Sequence, residues 1–313
     1  MDGLILVHKP KGITSHDIVV QIRKILDKKR VGHFGTLDPL ATGLLLIAVG
    51  KATRLFPFYS RATKTYKGQI RMGYSTDTYD SDGKPVSRES KNYPGHKVLL
   101  ENMKRFEGEI EQVSPAYSAK KYKGEALYKL VRQQKKYQLK STRVVVHFFR
   151  LIKYDPPHVD FEVKCSSGTY IRSIAHDLGQ SIGCGAHLNQ LVRTEIGEFR
   201  VSESHTVKEI EDMFSLGQTD KFLHPIEILL PEYPKVIVKD RAVLLVRNGS
   251  EFYPDSMPNS LSAKQDVNMK EEKNQDIFRI FDTQGRLLAL AIKKAESNSL
   301  HPFLVFDTEN KSQ

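Results

Sequence analysis

The sequence predicts a mixed α/β (α+β) main body followed by a smaller, mostly β module. Two observations carry this. Strand-like runs alternate irregularly with stretches of helical spacing up to about residue 215, and after "LLPEYPKVIV" the character changes to short strand-like runs around a polar segment. A length of 313 residues agrees, since it fits two domains or one large one. We place the boundary between residues 1–230 and 231–313, with a polar, mobile insert expected near 254–276.

Each element has its own reason. "LILVHKP" (Leu4–Pro10) is a short strand closed by a turn at Pro10-Lys11-Gly12. In "SHDIVVQIRKILDKK", Ser15 stands where an N-cap belongs, and Ile18, Val19, Ile22, Ile25 and Leu26 follow at helical spacing. A glycine-fenced loop, "GHFGTLDPLATG", precedes the strand "LLLIAVG". "KTYKGQIRMGYS" alternates, with Tyr66, Gly68, Ile70 and Met72 on one face. Residues 96–107 have helical character. "VVVHFFRLIKY" and "VDFEVKCSSGTYIRSI" are strand-like, and "RSIAHDLGQSIG" is a helix ending at Gly183. Further on, "KVIVKD", "FRIFDTQGRLLALAIKK" and "PFLVF" form the β module.

Charge narrows the function class. Lys and Arg number 48 against 37 acids, a net charge of +11, which favours polyanionic partners. From Tyr117 to Tyr154 there are eleven Lys and Arg, Lys120 and Lys121 among them, against the single acid Glu125. Tyr117, Tyr122, Tyr128, Tyr137, Phe148 and Phe149 are interleaved with them, so cations for phosphates alternate with rings that stack on bases. A solvated basic face with half-buried tyrosines is the equal alternative. The run Leu44–Val49 is too short to span a bilayer, and "MDGLILVHKP" lacks the basic start of a secretory signal. Two cysteines fit a reducing compartment. The expectation is a soluble cytoplasmic protein with no membrane association.

Several chemistries fail on spacing. Gly50-Lys51 lacks the glycine and the Ser or Thr that a phosphate-binding loop needs at positions 45 and 52. Cys165, His176, Cys184 and His187 match no zinc ligand set, and the deaminase signature is absent. "TYDSDG" has Thr78 where a calcium loop starts with an acid, so it is a turn. Asp38 remains, between Leu37 and Pro39. It is either a turn-initiating residue or a reactive carboxylate on a proline-restricted backbone. "SGTYIRSIAHDLG" supplies a second cluster. On a strand, Tyr170 and Arg172 would share a face, and a guanidinium beside a carboxylate favours its charged form.

Together these segments resemble the TruB family of tRNA pseudouridine synthases. "GHFGTLDPLATGLL" is similar to that family's catalytic loop, "KTYKG" to its second motif and "GTYIRSIAHDLG" to its third. "GAHLNQLVRTEIGEF" and "SPAYSAKKYKGEALYKL" resemble two further segments, and the likeness spans roughly residues 3–215. Phe34 departs from it, standing where the family has threonine. The resemblance implies a mixed, largely antiparallel sheet of pseudouridine-synthase type with a PUA-like RNA-binding module at the C-terminus. It also implies isomerisation of uridine 55 in the T-loop of tRNA by base flipping, with Asp38, Tyr66 and Arg172 catalytic. His33, Tyr170 and Leu191 would complete the base pocket, with Lys120 and Lys121 on the RNA. No cofactor, metal or protein partner is implied, and a monomer is expected. The rival reading is a tRNA-binding folding helper that needs the charged surface but not the carboxylate.

Overall fold

The computed structural model describes residues 1–115, 141–255, 276–294 and 297–307, together with the backbone at 121–122 and 125–126. In the first part the elements are β1 (Gly3–Lys9), α1 (Ser15–Leu26), β2 (Val31–His33), β3 (Thr42–Val49), α2 (Phe56–Arg61), β4 (Lys64–Met72), α3 (His96–Lys104) and β5 (Gly108–Val113). The short strands β6 (Lys121–Tyr122) and β7 (Glu125–Ala126) pair with each other. Next come β8 (Ser141–Asp155), β9 (His158–Cys165), α4 (Ile171–Ile182), β10 (Ala186–Ile196), β11 (Phe199–Arg200), α5 (Val207–Ser215) and β12 (Leu223–Pro225). The chain continues through β13 (Lys235–Ile237), α6 (Arg241–Arg247), β14 (Ile277–Phe281), β15 (Leu287–Lys293) and β16 (Leu300–Val305).

A large sheet runs in the order β12-β1-β3-β10-β4-β9-β8-β5, with β2 beside β3 and β11 beside β10. Its pairs are antiparallel except β3–β10, which meet in parallel at Thr42↔Val192 and Gly43↔Arg193. A second sheet has the order β13-β14-β15-β16. The mixed, largely antiparallel architecture is the one the sequence predicts.

The apolar runs are explained by burial on two faces. Leu4, Leu6, Leu44, Leu46 and Ala48 enter one core, while Ile5, Val7, Leu45, Ile47 and Val49 enter another on the opposite face. A strand covered on both sides has no position for a polar residue, so "LLLIAV" shows no alternation. The second of these cores is closed by Ile18, Val19, Ile22 and Leu26 of α1 and by Ile210 of α5. A third core lies where α3 and α4 cover β4, β8, β9 and β10.

Local detail corrects two expectations. The N-cap of α1 is Thr14, not Ser15: the Thr14 side chain accepts from the Asp17 amide, and Asp17 returns a bond to the Thr14 amide. Residues 166–172 are not strand. β9 stops at Cys165, Gly168 turns the chain at φ +84, and Arg172 lies inside α4. The mostly β module is borne out by the sheet β13-β14-β15-β16, beside which one helix, α6, is built from "RAVLLVR". The basic, aromatic stretch expected at 117–154 lies outside the described residues over 116–120, 123–124 and 127–140, and the polar insert does so over 256–275.

Gly68 shows how tightly the middle of the large sheet is packed. A Cβ there would lie 2.6 Å from the Gln190 carbonyl oxygen and 2.8 Å from Phe161 Cζ. Gly68→Ala is therefore expected to cost about 1–3 kcal/mol by overpacking. Urea unfolding at pH 7 tests this, and an unchanged midpoint would contradict the packing described.

Candidate active site

The loop between β2 and β3 is held from within the protein by donors aimed at its carbonyls. Arg193 of β10 is 1% exposed, and its Nε and Nη1 donate to Leu44 O at 2.8 Å and Thr36 O at 3.1 Å. Ser15 Oγ accepts from the Leu37 amide at 2.8 Å and donates back to its carbonyl at 3.2 Å. Lys9 Nζ, fully buried, donates to Pro10 O, Ile13 O and Pro39 O, and the Gly12 amide also donates to Pro39 O. A loop this deep satisfies its backbone only through such partners. Gly43, where the loop enters β3, is glycine for two reasons. Its φ is +99, and a Cβ would lie 2.5 Å from the Arg193 carbonyl oxygen.

Two leucines anchor the loop's apex. Leu37 and Leu40 are buried in the core that also holds Tyr66 and Leu191, while the Asp38 side chain between them keeps 42% of its surface exposed. The carboxylate is thus fixed by its neighbours without being sealed.

Arg172 approaches from α4. Its side chain is only 5% exposed, and its Nε lies 2.8 Å from Asp38 Oδ2. Its Nη1 lies 3.1 Å from Asp80 Oδ2 and donates to Thr78 O at 3.2 Å. One guanidinium therefore joins an exposed carboxylate to a buried one. Asp80 is further fixed through Oδ1, which accepts from the Asp82 amide and the Thr78 hydroxyl. A cation in the first turn of a helix opposes the helix dipole, and the two carboxylates offset that cost.

The remaining expected site residues fall as follows. Tyr66 is buried opposite Arg193 in the β4–β10 register. Burial pushes its phenol up to about 12, partly opposed by the nearby Arg193 charge. Leu191, 6% exposed, lies across from Gly68. His33 is half-buried at the end of β2, and burial, then Arg193, lowers its pKa. Tyr170 is the N-cap of α4 rather than a strand residue. Its backbone is clamped by Gln112, which donates to Tyr170 O and accepts from its amide. The strand-face argument for Tyr170 and Arg172 therefore fails, although Arg172 still reaches Asp38. Lys120 lies outside the described residues, and for Lys121 only the backbone in β6 is described.

Asp80, Arg193 and Lys9 were not singled out by the sequence. Asp80 sits in the "TYDSDG" segment set aside as a turn. It is a turn, and it delivers that carboxylate to Arg172. Arg193 and Lys9 look like surface cations, and no local signal betrays their burial.

Comparisons with known proteins follow the same pattern. The family described as TruB family pseudouridylate synthase (N-terminal domain) matches residues 23–171, and the tRNA pseudouridylate synthase B C-terminal domain matches 172–231. The tRNA pseudouridine synthase B of Solibacter usitatus is 41% identical over 252 residues, 80% of this chain and 86% of that protein. That of Thermotoga maritima is 38% identical over 303 residues, covering 95% and 91%. Among solved structures, a chain of a Cbf5-Nop10-Gar1 complex is similar with a TM-score of 0.71 and 26% identity, covering 98% of this chain and 85% of that one. A chain of an H/ACA RNP bound to a substrate RNA containing 2'-deoxyuridine gives 0.70 and 25%, covering 98% and 86%.

The buried lysines leave a signature in stability. Burial brings Lys9 and Lys64 down to about 8 from 10.5. Between those values the unfolded chain keeps a proton that each folded lysine has shed, so their contribution to stability rises with pH through that window. Lys64 lies outside the loop, donating to Ser60 O and Ala62 O. In Lys64→Met its share, up to about 3 kcal/mol, disappears from the difference between pH 10 and pH 7. Urea unfolding at both pH values measures that difference, and equal differences in variant and wild type would refute the assignment.

Proposed function

The chain belongs to the TruB family of pseudouridine synthases, and from that premise we propose that it isomerises uridine 55 in the T-loop of tRNA, with Asp38 as the essential carboxylate. The observation that carries this reading is the contact of 2.8 Å between a buried guanidinium and a carboxylate that stays 42% exposed. The net change breaks the C1′–N1 bond, forms C1′–C5, releases the proton from C5 and places one on N1. Asp38 can serve by attacking the sugar, adding to the base or removing a sugar proton. Each role needs the anion, because a protonated carboxylate is a poor nucleophile and a poor base.

The surroundings support a flipped base. A uridine within a folded loop reaches a carboxylate only after leaving its stack, at a cost of a few kcal/mol. Tyr66 and Leu191 form an apolar floor beside Asp38 on which that base rests, Tyr170 lines its edge, and His33 fills the space the base vacates. Lys120, Lys121 and the rest of the basic stretch grip the RNA backbone, giving affinity that falls with salt. The second sheet, within the proposed C-terminal domain 231–313, adds a PUA-like RNA contact. No helix among the described residues is long and apolar enough to cross a membrane.

Asp38→Asn removes the anion with almost no change of shape. It is expected to bind an unmodified tRNA transcript as wild type does while forming no pseudouridine. Pseudouridine mapping beside a binding isotherm checks this: product from the variant would overturn Asp38 as the essential carboxylate, and a wild type that binds tRNA but forms no product would leave only the helper reading.

Arg172→Lys keeps the charge but loses the fork that reaches Asp38 and Asp80 together. Hydrogen bonds to charged groups are worth about 1.5–3 kcal/mol, so single-turnover rates are expected to fall roughly 10- to 100-fold. A wild-type rate would remove Arg172 from the mechanism.

A further inference from the structure

Tyr79 stands between the two groups that engage Arg172 Nη1, the Thr78 carbonyl and the Asp80 carboxylate. Among the described residues it is one of four non-glycine residues with positive φ, at +65. A side chain persists in that conformation only where the surroundings over-determine it. The surroundings here are two elements. On one side the segment docks on β10: the Leu188 amide donates to Tyr79 O at 2.9 Å, and the Ser81 amide donates to Leu188 O at 2.9 Å. On the other side the Tyr79 ring lies on the His176 ring of α4, centroids 3.8 Å apart and planes within 15°.

His176 is four residues beyond Arg172, so both occupy the same face of α4. The stack and the Asp80–Arg172 ion pair are thus neighbouring contacts between the same two segments. The imidazole Nδ1 is buried and has no hydrogen-bond partner among the described residues, while the ring face is covered by Tyr79. Burial lowers the His176 pKa, in keeping with a neutral, flat platform. Nothing in the isomerisation itself uses either ring.

We propose that Tyr79 and His176 are positioning residues: their stacked rings clamp segment 78–81 against α4 and so hold Asp80 on Arg172, which in turn orients Asp38. The positive φ of Tyr79 follows from this role, because the backbone must present its neighbours to Arg172 while the ring turns onto His176. The inference rests on the proposed synthase activity for its kinetic arm and on the fold alone for its structural arm.

The test compares wild type, Tyr79→Ala, Tyr79→Phe and His176→Leu, each with and without Asp80→Asn. In single-turnover assays on a T-stem-loop transcript, Tyr79→Ala and His176→Leu are expected to lower the rate about tenfold, with RNA affinity within about twofold. Tyr79→Phe, which keeps the ring, recovers most of that loss. In the Asp80→Asn background, Tyr79→Ala and His176→Leu should add less than about twofold, since they act through a carboxylate no longer present. A purely structural role would instead give additive losses. Rates equal to wild type, or losses that add to that of Asp80→Asn, would overturn the proposal.

Amide exchange at Ser81 and Leu188 is the arm that needs no RNA, and exchange there should quicken in Tyr79→Ala and His176→Leu. If wild type forms no pseudouridine, the synthase reading fails and exchange alone decides the clamp. Unchanged protection would then refute it. A Tyr79→Ala protein that does not fold leaves His176→Leu to be read by the same criteria.

Discussion

Arg172 is buried, charged and shared. A guanidinium with 5% of its surface exposed needs a counter-charge, and breaking a buried pair by removing one partner costs about 3–5 kcal/mol. Had Asp38 been the sole partner, any movement of that carboxylate toward a substrate would strand the arginine. Asp80 and the Thr78 carbonyl remove the difficulty by holding Nη1 independently of Nε. The arginine keeps its place whether or not Asp38 is engaged, so a partly exposed carboxylate can be aimed and still be free to react. The positions of α4, of segment 78–81 and of the loop apex all converge on this one group.

The loop that carries Asp38 is braced by the opposite logic, cations beneath and an anion above. Lys9 and Arg193 donate to backbone carbonyls, Lys9 joining Pro39 of the loop to Pro10 and Ile13 of the neighbouring turn and Arg193 joining Thr36 of the loop to Leu44 of β3, and are therefore mechanical as much as electrostatic. Their burial depends on the carbonyls being where the loop puts them, and the loop's shape depends on them in turn. Leu37 and Leu40 complete the bracing by tying the apex to the core beside Tyr66. Mutual dependence of this kind gives a rigid element at a position where a polar loop would otherwise be loose.

Much of this was legible in the residues. The alternation of "KTYKGQIRM" anticipates which side of β4 carries Tyr66, Ile70 and Met72, and the helical spacing of Ile18, Val19, Ile22 and Leu26 anticipates the buried side of α1. The fenced loop points to Asp38 as a turn residue or a reactive carboxylate, "SGTYIRSIAHDLG" points to Arg172 as a partner for it, and the family resemblance favours the reactive reading of both. What stayed hidden were tertiary properties of ordinary-looking residues. Ser15 satisfies every local rule for an N-cap, yet Thr14 takes that place, which leaves the Ser15 hydroxyl free for Leu37. The run "VDFEVKCSSGTYIRSI" predicts strand as far as Arg172, where it overlaps the helical "RSIAHDLGQSIG". The break is made by Gly168 and by Gln112, a residue far away in sequence that caps the Tyr170 backbone. Asp80 escapes a sequence reading because a failed calcium loop looks like an idle turn. Its partner lies 92 residues further along the chain, a separation no local pattern encodes.

Phe34 stands where the resemblance leads one to expect threonine, and its surroundings give a physical reason for the ring. Its ring is 1% exposed, stacks on Tyr59 with centroids 5.6 Å apart, and meets Phe56 edge-on. Tyr59 in turn donates to Glu198 and accepts from the Leu230 amide. The Phe34 and Tyr59 rings belong to a core shared by Leu4, Leu6, Leu44 and Leu46 of the large sheet with Phe281, Leu287, Leu290 and Phe306 around the second sheet. A threonine at position 34 would leave a space beside Tyr59 that a protein interior does not tolerate without loss. The residue following His33 is thus anchored in the seam between the two sheets. One end of the Asp38 loop is tied to the packing of the C-terminal strands, and the other, through Gly43 and Arg193, to the middle of the large sheet. The placement of the carboxylate is accordingly a property of both sheets at once, which a reading of the loop in isolation cannot supply.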